Sequence, residues 1–187
     1  MVLNLLRCGA RVAALDLKAD ALAETVPLAG AGKRLTVHEV NVADAERVAA
    51  LPEEVIAAHG TVDGLLNVAG IIQPFVKFAE LDRAVMERVM DVNFWGVVNT
   101  TQAFLPHLLK RPAASVVNVS SMGGFLPVPG QTVYGASKAA VKLLTEGLRA
   151  ETRGTPVAVT VVFPGAIGTN ITANSGVATP GASDFGL

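Results

Sequence analysis

Short apolar runs, rich in β-branched residues, alternate with longer segments of helical character along this chain. The runs that predict strands cover residues 11–16, 35–40, 63–67, 115–120 and 157–163. Nearly continuous apolar runs are typical of parallel strands, because a parallel sheet is buried on both faces. The connections between the runs are long enough for crossover helices. The alternation therefore predicts an α/β fold built on a parallel sheet.

The predicted helices cover residues 18–26, 44–58, 81–110 and 131–153. Asp44 and Asp82 stand at positions where a side-chain oxygen can cap a helix N-terminus. Pro52 and Pro106 are expected to kink or restart their helices. Because βαβ crossovers are right-handed, five strands connected in this way predict one open, doubly wound, Rossmann-like sheet.

The two ends of the chain look incomplete. Residues 2–7 read as the second half of a helix that Gly9, in a left-handed conformation, would end. No strand precedes that helix, and none of the 18 glycines forms a glycine-rich phosphate-binding turn. Residues 172–187 lack a helical or strand period and are predicted to be a loop. We therefore expect one domain over residues 1–187, truncated at the N-terminus and also at the C-terminus.

Composition excludes several classes of function. The formal net charge of -1 and the absence of a basic block do not fit a nucleic-acid partner. Arg7 and Arg11 interrupt the apolar start before a signal peptide or membrane span could form, so we expect a cytoplasmic protein with no membrane partner. Cys8 is the only cysteine, which excludes an internal disulfide, and we expect it to be a small buried side chain.

The histidines do not suggest a metal centre. His38, His59 and His107 lack the mutual spacing of metal ligands, so no metal is predicted. His59, just before Gly60, is expected to be a cation near a helix C-terminus. Trp95 is expected in the core or at a helix interface.

Tyr134 and Lys138 lie four residues apart on a predicted helix and therefore share one face. Tyrosine is a poor base at neutral pH, and a nearby ammonium favours the phenolate by charge attraction. The pair alone is also compatible with a helix face whose tyrosine and lysine meet solvent.

Ser121 strengthens the catalytic alternative. It follows a predicted strand, at the end of the sheet where α/β proteins place ligands, and lies thirteen residues before Tyr134. Alone it is compatible with a turn-forming serine. Together, Ser121, Tyr134 and Lys138 resemble the catalytic set of the short-chain dehydrogenase/reductase family, and Gly124 and the Ala-Ser before Lys138 match as well.

Further motifs agree with this resemblance. The segment Asn67-Val68-Ala69-Gly70 is similar to the family's Asn-Asn-Ala-Gly element, with valine in place of the second asparagine. Asn93 resembles the family's helix asparagine, which implies a fourth catalytic residue that supports a proton-relay water. On its own, an asparagine in a helix is compatible with a polar residue that bonds its own backbone.

The resemblance, which spans roughly residues 1–172, implies a partial NAD(P)-binding domain. Asp16, at the end of a strand, would accept hydrogen bonds from the adenosine ribose and repel a 2′-phosphate, which favours NAD over NADP. The alternative is a strand-end acid that faces water. The cofactor-binding residues that the resemblance implies are Asp16, Asn41, Val42, Asn67, Ala69, Gly70, Tyr134, Lys138, Pro164, Gly165, Ile167 and Thr169.

The implied activity is the interconversion of a secondary alcohol and a ketone by hydride transfer, with Tyr134 as the base. The small-molecule substrate is not identified, although Ile72, Gln73 and residues 125–129 are expected to line its pocket. One alternative is a catalytically incomplete fragment or non-catalytic nucleotide-binding module, since the glycine-rich turn is missing. Another is an oligomerising module, because the resemblance implies a homodimer or homotetramer through helices 81–110 and 131–153.

Overall fold

A computed structural model describes residues 1–178, without the side chains of Ala19 and Ala21. The strands are β1 (Val12–Asp16), β2 (Leu35–Glu39), β3 (Gly64–Asn67), β4 (Ala114–Val119) and β5 (Val157–Val162). The helices are α1 (Val2–Arg7), α2 (Ala19–Ala23), α3 (Thr25–Ala29), α4 (Ala45–His59), α5 (Arg83–Met90), α6 (Gly96–Leu108), α7 (Thr132–Glu151) and α8 (Ile171–Ser175). Short 3₁₀ turns cover Gly32–Arg34, Phe78–Glu80 and Met122–Gly124. All five predicted strands are present, so the predicted α/β class is confirmed.

The strands form two parallel sheets. β1 pairs with β2, and β3, β4 and β5 pair in that order. The single continuous sheet expected from the sequence is therefore interrupted, because β1 and β3 each hydrogen-bond to one neighbouring strand among the described residues. Both sheets nevertheless share one hydrophobic cluster, which contains Val40, Val48, Leu51, Val55, Val62, Phe104, Leu108, Ala114, Val116, Val157 and Val159. Apolar burial between the sheets and helices α4 and α6 thus joins the two halves.

The helix N-caps follow the sequence. Asp44 accepts a hydrogen bond from the backbone N–H of Arg47 at 3.0 Å, and Asp82 accepts one from Ala84 at 3.0 Å. Pro52 lies within α4 and Pro106 within α6, and neither restarts its helix. Each proline removes one hydrogen bond of its helix, while the flanking buried residues keep both helices packed on the core.

Three predicted boundaries need correction. The helix expected over residues 18–26 is two short helices, and the helix expected over 81–110 is divided into α5 and α6 by a π-helical turn, Asp91–Trp95. The expected loop 172–187 overlaps α8, whose hydroxyl and amide side chains give no apolar period to detect. Residues 179–187 of that prediction lie outside the described part of the chain.

Two side chains also differ from expectation. Cys8 is exposed, because it follows the last turn of α1 at the protein surface. The Trp95 side chain is 51% exposed and makes an edge contact with Phe94, with ring centroids 5.2 Å apart. Gly9 does adopt the positive φ expected of it, at 89°.

Among residues 1–178, no helix is both long and apolar enough to cross a membrane.

His59 is buried at the end of α4, where burial opposes the positive charge expected from its position. Its Nε2 lies 2.9 Å from the hydroxyl of Thr36, which also lies 3.0 Å from Nε2 of His38. Within residues 1–178, Nδ1 of His59 has no hydrogen-bond partner. Burial lowers the pKa of His59, and the nearby charge of Arg11 and then His38 lower it further. Glu54 faces the far side of His38 at 3.4 Å. The fold therefore favours a neutral His59.

We expect His59→Gln to flatten the pH dependence of the free energy of unfolding. Because its folded pKa is lowered, His59 contributes stability that is present above its unfolded pKa of about 6.5 and lost as pH falls through the folded value. Urea unfolding of both proteins between about pH 8 and pH 5 measures the slopes. His107→Gln, in α6, is the control; an unchanged slope in His59→Gln would contradict the assignment.

Candidate active site

The site begins where β4 ends. Ser121 follows this strand, and its Oγ accepts a hydrogen bond from the backbone N–H of Gly123 at 3.0 Å, which shapes the turn Met122–Gly124. The N–H of Met122 donates to the carbonyl of Pro164 at 3.0 Å. The turn after β4 is therefore joined to the segment after β5. Carboxyl ends of parallel strands meet at one edge of a sheet, where α/β proteins place their ligands.

Helix α7 approaches this turn closely because the contact is made by glycines. A Cβ on Gly135 would lie 2.9 Å from the carbonyl oxygen of Gly123. A Cβ on Gly123 would lie 3.4 Å from both Ser121 Oγ and Cε1 of Tyr134. The hydroxyl of Ser121 and the ring of Tyr134 thus flank the same small space, so the structure brings these two predicted residues together.

Lys138 lies on the same face of α7 as Tyr134, with its Nζ 6.0 Å from the centre of the tyrosine ring. The side chain is only 4% exposed, and Nζ donates to the carbonyl of Val119 at 3.0 Å. Burial lowers the pKa of Lys138 to about 8. A Cβ on Gly70 would lie 3.2 Å from Nζ, so the amine faces bare backbone after β3. The solvent-facing alternative for Lys138 is wrong.

Asn93 lies in the π-helical turn and is fully buried. Its side chain makes a two-way bond with the backbone of Ile71: Oδ1 accepts from N–H at 2.9 Å, and Nδ2 donates to the carbonyl at 3.0 Å. Nδ2 also donates to Ser137 Oγ at 3.0 Å, and Ser137 donates to the carbonyl of Tyr134 at 2.7 Å. Asn93 therefore links the loop after β3 to α7, and both ends of its amide already have protein partners.

Asn67 points its side chain into the protein. Its Nδ2 donates to Asn118 Oδ1 at 2.8 Å, and its Oδ1 accepts from the hydroxyl of Thr100 at 2.7 Å. Any contact of Asn67 with a cofactor would therefore come from its backbone. Ala69 is exposed at the same strand end, and Gly70 lies against Lys138.

The residues expected around the adenosine lie on the other sheet. Asp16 ends β1, and its carboxylate accepts from the N–H of Lys18 at 3.0 Å. Asn41 is exposed after β2, with its side-chain oxygen 3.0 Å from the N–H of Ala43. Val42 packs on the start of α6, where a Cβ on Gly96 would lie 2.6 Å from its Cγ2.

The segment after β5, residues 165–170, is exposed to solvent. Gly165, Ile167 and Thr169 are exposed, and Thr169 Oγ1 accepts from the N–H of Ile171 at the start of α8 at 3.4 Å. In α8, Ser175 accepts from the N–H of Ile72 at 2.9 Å, which brings this helix against the loop after β3. Ser175 was not predicted from the sequence, because a lone serine in a polar segment has no distinguishing pattern.

A cavity of about 320 Å³ adjoins the turn after β4. Its lining includes Gly123, Phe125, Leu126, Val128, Thr132 and Ala136. Neither Ile72 nor Gln73 belongs to that lining, and Gln73 is completely buried elsewhere. The ring of Phe125 lies 4.5 Å from that of Phe163 and 4.7 Å from Nζ of Lys142. The cavity is therefore mainly apolar, and Gly123 joins it to Ser121 and Tyr134.

Known proteins share the sequence pattern and the fold of this chain. Residues 1–179 match the profile of the short chain dehydrogenase family. The chain belongs to this family. It is 42% identical over 184 residues to SadH of Mycobacterium tuberculosis, a protein named as an oxidoreductase, and the match covers 95% of this chain but 65% of SadH.

Two solved structures extend the comparison. A short chain dehydrogenase/reductase from Burkholderia phymatum in complex with NAD has a TM-score of 0.85 at 30% identity, covering 94% of this chain and 66% of that one. The closed form of a serine dehydrogenase complexed with NADP+ has a TM-score of 0.84 at 27% identity, covering 92% and 70%. The Rossmann-like fold is thus confirmed, and similar proteins bind either nicotinamide cofactor.

Lys138→Met should raise the free energy of unfolding at pH 7 by about 1–3 kcal/mol. The folded pKa of about 8 is below the ordinary value of 10.5, so stability is lost as pH falls through the folded value and regained above the unfolded one. At neutral pH the fold therefore holds a buried ammonium at a cost that methionine removes. Urea unfolding measures the change, with Lys142→Met as the control. A less stable Lys138→Met protein would contradict this account.

Proposed function

We propose that this protein interconverts a secondary alcohol and a ketone with a nicotinamide cofactor. The observation that carries the proposal is the placement of the Tyr134 ring beside the Ser121 hydroxyl, with the buried amine of Lys138 on the same helix face. A hydrogen-bonding hydroxyl, a proton acceptor and a fixed positive charge are what removal of an alcohol proton requires.

The protein residues would divide this work among them. Ser121 Oγ accepts a bond from Gly123 and donates to no group within the described part of the chain, so its proton would bond the substrate oxygen. Tyr134, as phenolate, would remove the hydroxyl proton as the ketone forms, and would return a proton in the reverse direction. Lys138, when protonated, would favour the phenolate by charge attraction. A bound nicotinamide ring supplies the hydride acceptor, or the donor in reverse.

The residues present fit part of a nicotinamide cofactor. Lys138 Nζ has one protein acceptor among the described residues and faces the bare backbone of Gly70, an arrangement that suits sugar hydroxyls. Residues 164–169 would lie towards the nicotinamide, and Asp16 with residues 41–42 towards the adenosine. Asn93 would support this arrangement by holding α7 against the loop after β3.

An apolar cavity with few polar groups also bears on the substrate. Phe125, Leu126 and Val128 would face the part of a small alcohol or ketone that does not react.

We further propose a homodimer or homotetramer, because exposed apolar side chains lie on both long helical segments, at Trp95 and at Leu143, which is 73% exposed.

The second candidate is a chain that does not turn over substrate. The observation in its favour is the absence of a glycine-rich phosphate-binding turn from the 187 residues. Hydrogen bonds from such a turn to a pyrophosphate are each worth about 1.5–3 kcal/mol, so their loss lowers cofactor affinity by orders of magnitude.

We expect Tyr134→Phe to lower turnover of secondary alcohols by about 10²–10⁴-fold while cofactor affinity changes little. Tyr134 is the only tyrosine, so no second phenol can replace it. Turnover of a panel of secondary alcohols and ketones is followed by nicotinamide absorbance. Val133→Ala, one residue earlier on α7, is the matched control. Full activity in Tyr134→Phe would exclude Tyr134 as the base, and no turnover by any of these proteins would favour the second candidate.

Cofactor choice is tested separately, by titrating the chain with NADH and NADPH and following cofactor fluorescence. We expect tighter binding of NADH, because the Asp16 carboxylate repels a 2′-phosphate. Asp16→Asn should reduce the difference between the two affinities about tenfold or more, since one like-charge contact is removed. Asp20→Asn, in α2, is the control. Preference for NADPH in the unchanged protein would contradict the role of Asp16.

A further inference from the structure

Gln73 is a fully buried polar side chain in the loop that follows β3. Its Oε1 accepts hydrogen bonds from the backbone N–H groups of Val133 at 2.9 Å and Tyr134 at 3.0 Å. Its Nε2 donates to the carbonyl of Gly130 at 2.8 Å. The whole amide is therefore used in joining this loop to the start of α7.

These contacts replace a helix cap that α7 lacks locally. The first N–H groups of a helix have no partner within the helix, and a side chain at the N-cap usually satisfies them. Gln131 occupies the N-cap position but makes no such bond. The first bond within the helix runs from Gly135 N–H to the carbonyl of Gln131 at 2.8 Å. Gln73 supplies the cap from about sixty residues earlier in the chain.

The same loop also holds the other end of the Tyr134 residue. The carbonyl of Tyr134 accepts from Ser137 Oγ, which accepts from Asn93, and Asn93 is bonded both ways to the backbone of Ile71. Gln73 holds the N–H of Tyr134. Both peptide groups of Tyr134 are thus tied to residues 71–73, and little freedom remains for the backbone that carries the ring.

The loop after β3 and the segment just before α7 are also in backbone contact, which limits their movement relative to each other. Gly130 has a φ of 76°, and a Cβ there would lie 3.1 Å from Cα of Phe75. Gln131 Nε2 donates to the carbonyl of Gln73 at 2.7 Å, a bond between the loops that reaches neither Val133 nor Tyr134. Side chains whose partners are fixed in this way hold a site to the accuracy that proton transfer needs.

We propose that Gln73 is a positioning residue that sets the place of Tyr134 against Ser121 by fixing the first turn of α7. The proposal rests on the proposed function, in which Tyr134 is the base. Glutamine suits this position better than glutamate, because one end must accept two N–H groups while the other donates to the Gly130 carbonyl. A carboxylate would set two oxygens against each other there.

The test compares Gln73→Met with Gln131→Met in the full 187-residue chain. Both remove a buried amide that joins the same two loops, but only Gln73→Met uncaps Val133 and Tyr134. In Gln73→Met we expect amide exchange at these two residues to rise about tenfold or more, with no change beyond Val141. We also expect loss of the NMR contact between the Tyr134 ring and Gly123. In Gln131→Met, both should stay within about twofold of the unchanged protein.

Turnover supplies a reading that general loosening of the fold would not give. In Gln73→Met we expect kcat to fall about 10–100-fold while KM for the cofactor stays within about twofold. Gln73→Glu covers the case in which Gln73→Met fails to fold, since it keeps an oxygen for the two N–H groups. We expect Gln73→Glu to retain the exchange protection of the Val133 and Tyr134 amides. Its kcat should be reduced while the carboxylate opposes the Gly130 carbonyl, and should rise as pH falls and the protonated carboxyl can donate to that carbonyl.

An unchanged ring contact and kcat in Gln73→Met would overturn the proposal, and so would equal losses in the two methionine variants. Loss of amide protection in Gln73→Glu would also overturn it. Full activity in Tyr134→Phe would instead overturn the catalytic role of Tyr134. Exchange and the ring contact do not depend on turnover, so they would still decide whether Gln73 holds the turn.

Discussion

A buried hydrogen bond between two asparagines ties the strands under the site to the helices that carry it. Asn67 and Asn118 are register partners on β3 and β4, and their side chains meet at 2.8 Å. Asn67 also accepts a hydrogen bond from the hydroxyl of Thr100 on α6, and Asn118 donates one to the hydroxyl of Thr145 on α7 at 3.0 Å. An apolar core would tolerate a small slip of either helix, whereas each broken bond here leaves an unsatisfied buried amide. The network therefore sets the position of α7 before any residue of the site is considered.

The site places its own demands on stability. Lys138 is held in a buried position by α7 and β4, and burial, which disfavours its charge, lowers its pKa. Glycines at 123, 124 and 135 allow the turn after β4 to press against α7, although glycine loses more chain entropy on folding than other residues. Such local costs are typical of functional sites, where one arrangement is kept at the expense of a more stable one.

Sequence patterns predicted the strands, the caps at Asp44 and Asp82, and the meeting of Ser121, Tyr134 and Lys138. Each of these depends on local spacing or on a motif, which a sequence displays directly. The role of Gln73 was not predictable, because its partners at 130, 133 and 134 are brought to it only by the fold. The π-helical turn that contains Asn93 was not predicted for a related reason. Its one extra residue leaves the apolar pattern of the surrounding helix still helical. The environment of His59 was not predicted either, because its position near a helix C-terminus indicated charge, whereas its burial, which only the fold shows, lowers its pKa.

The interruption between the two sheets gives α6 a second role. Asp16 and Asn41 lie on the β1–β2 sheet, while Ser121, Tyr134 and Lys138 belong to the β3–β5 sheet, and among the described residues no strand pairing joins them. Val42 packs on Gly96, and Asn99 donates to the carbonyl of Val42 at 3.0 Å, so the start of α6 couples the two sides. The π-helical turn with Asn93 comes directly before that start. One helical segment thus contacts the proposed adenosine side through Val42 and the tyrosine side through Asn93. A shift of α6 would move the proposed adenosine side relative to the β1–β2 sheet and the tyrosine side relative to the β3–β5 sheet at the same time. For this reason the proposed cofactor site depends more on this segment than on either sheet.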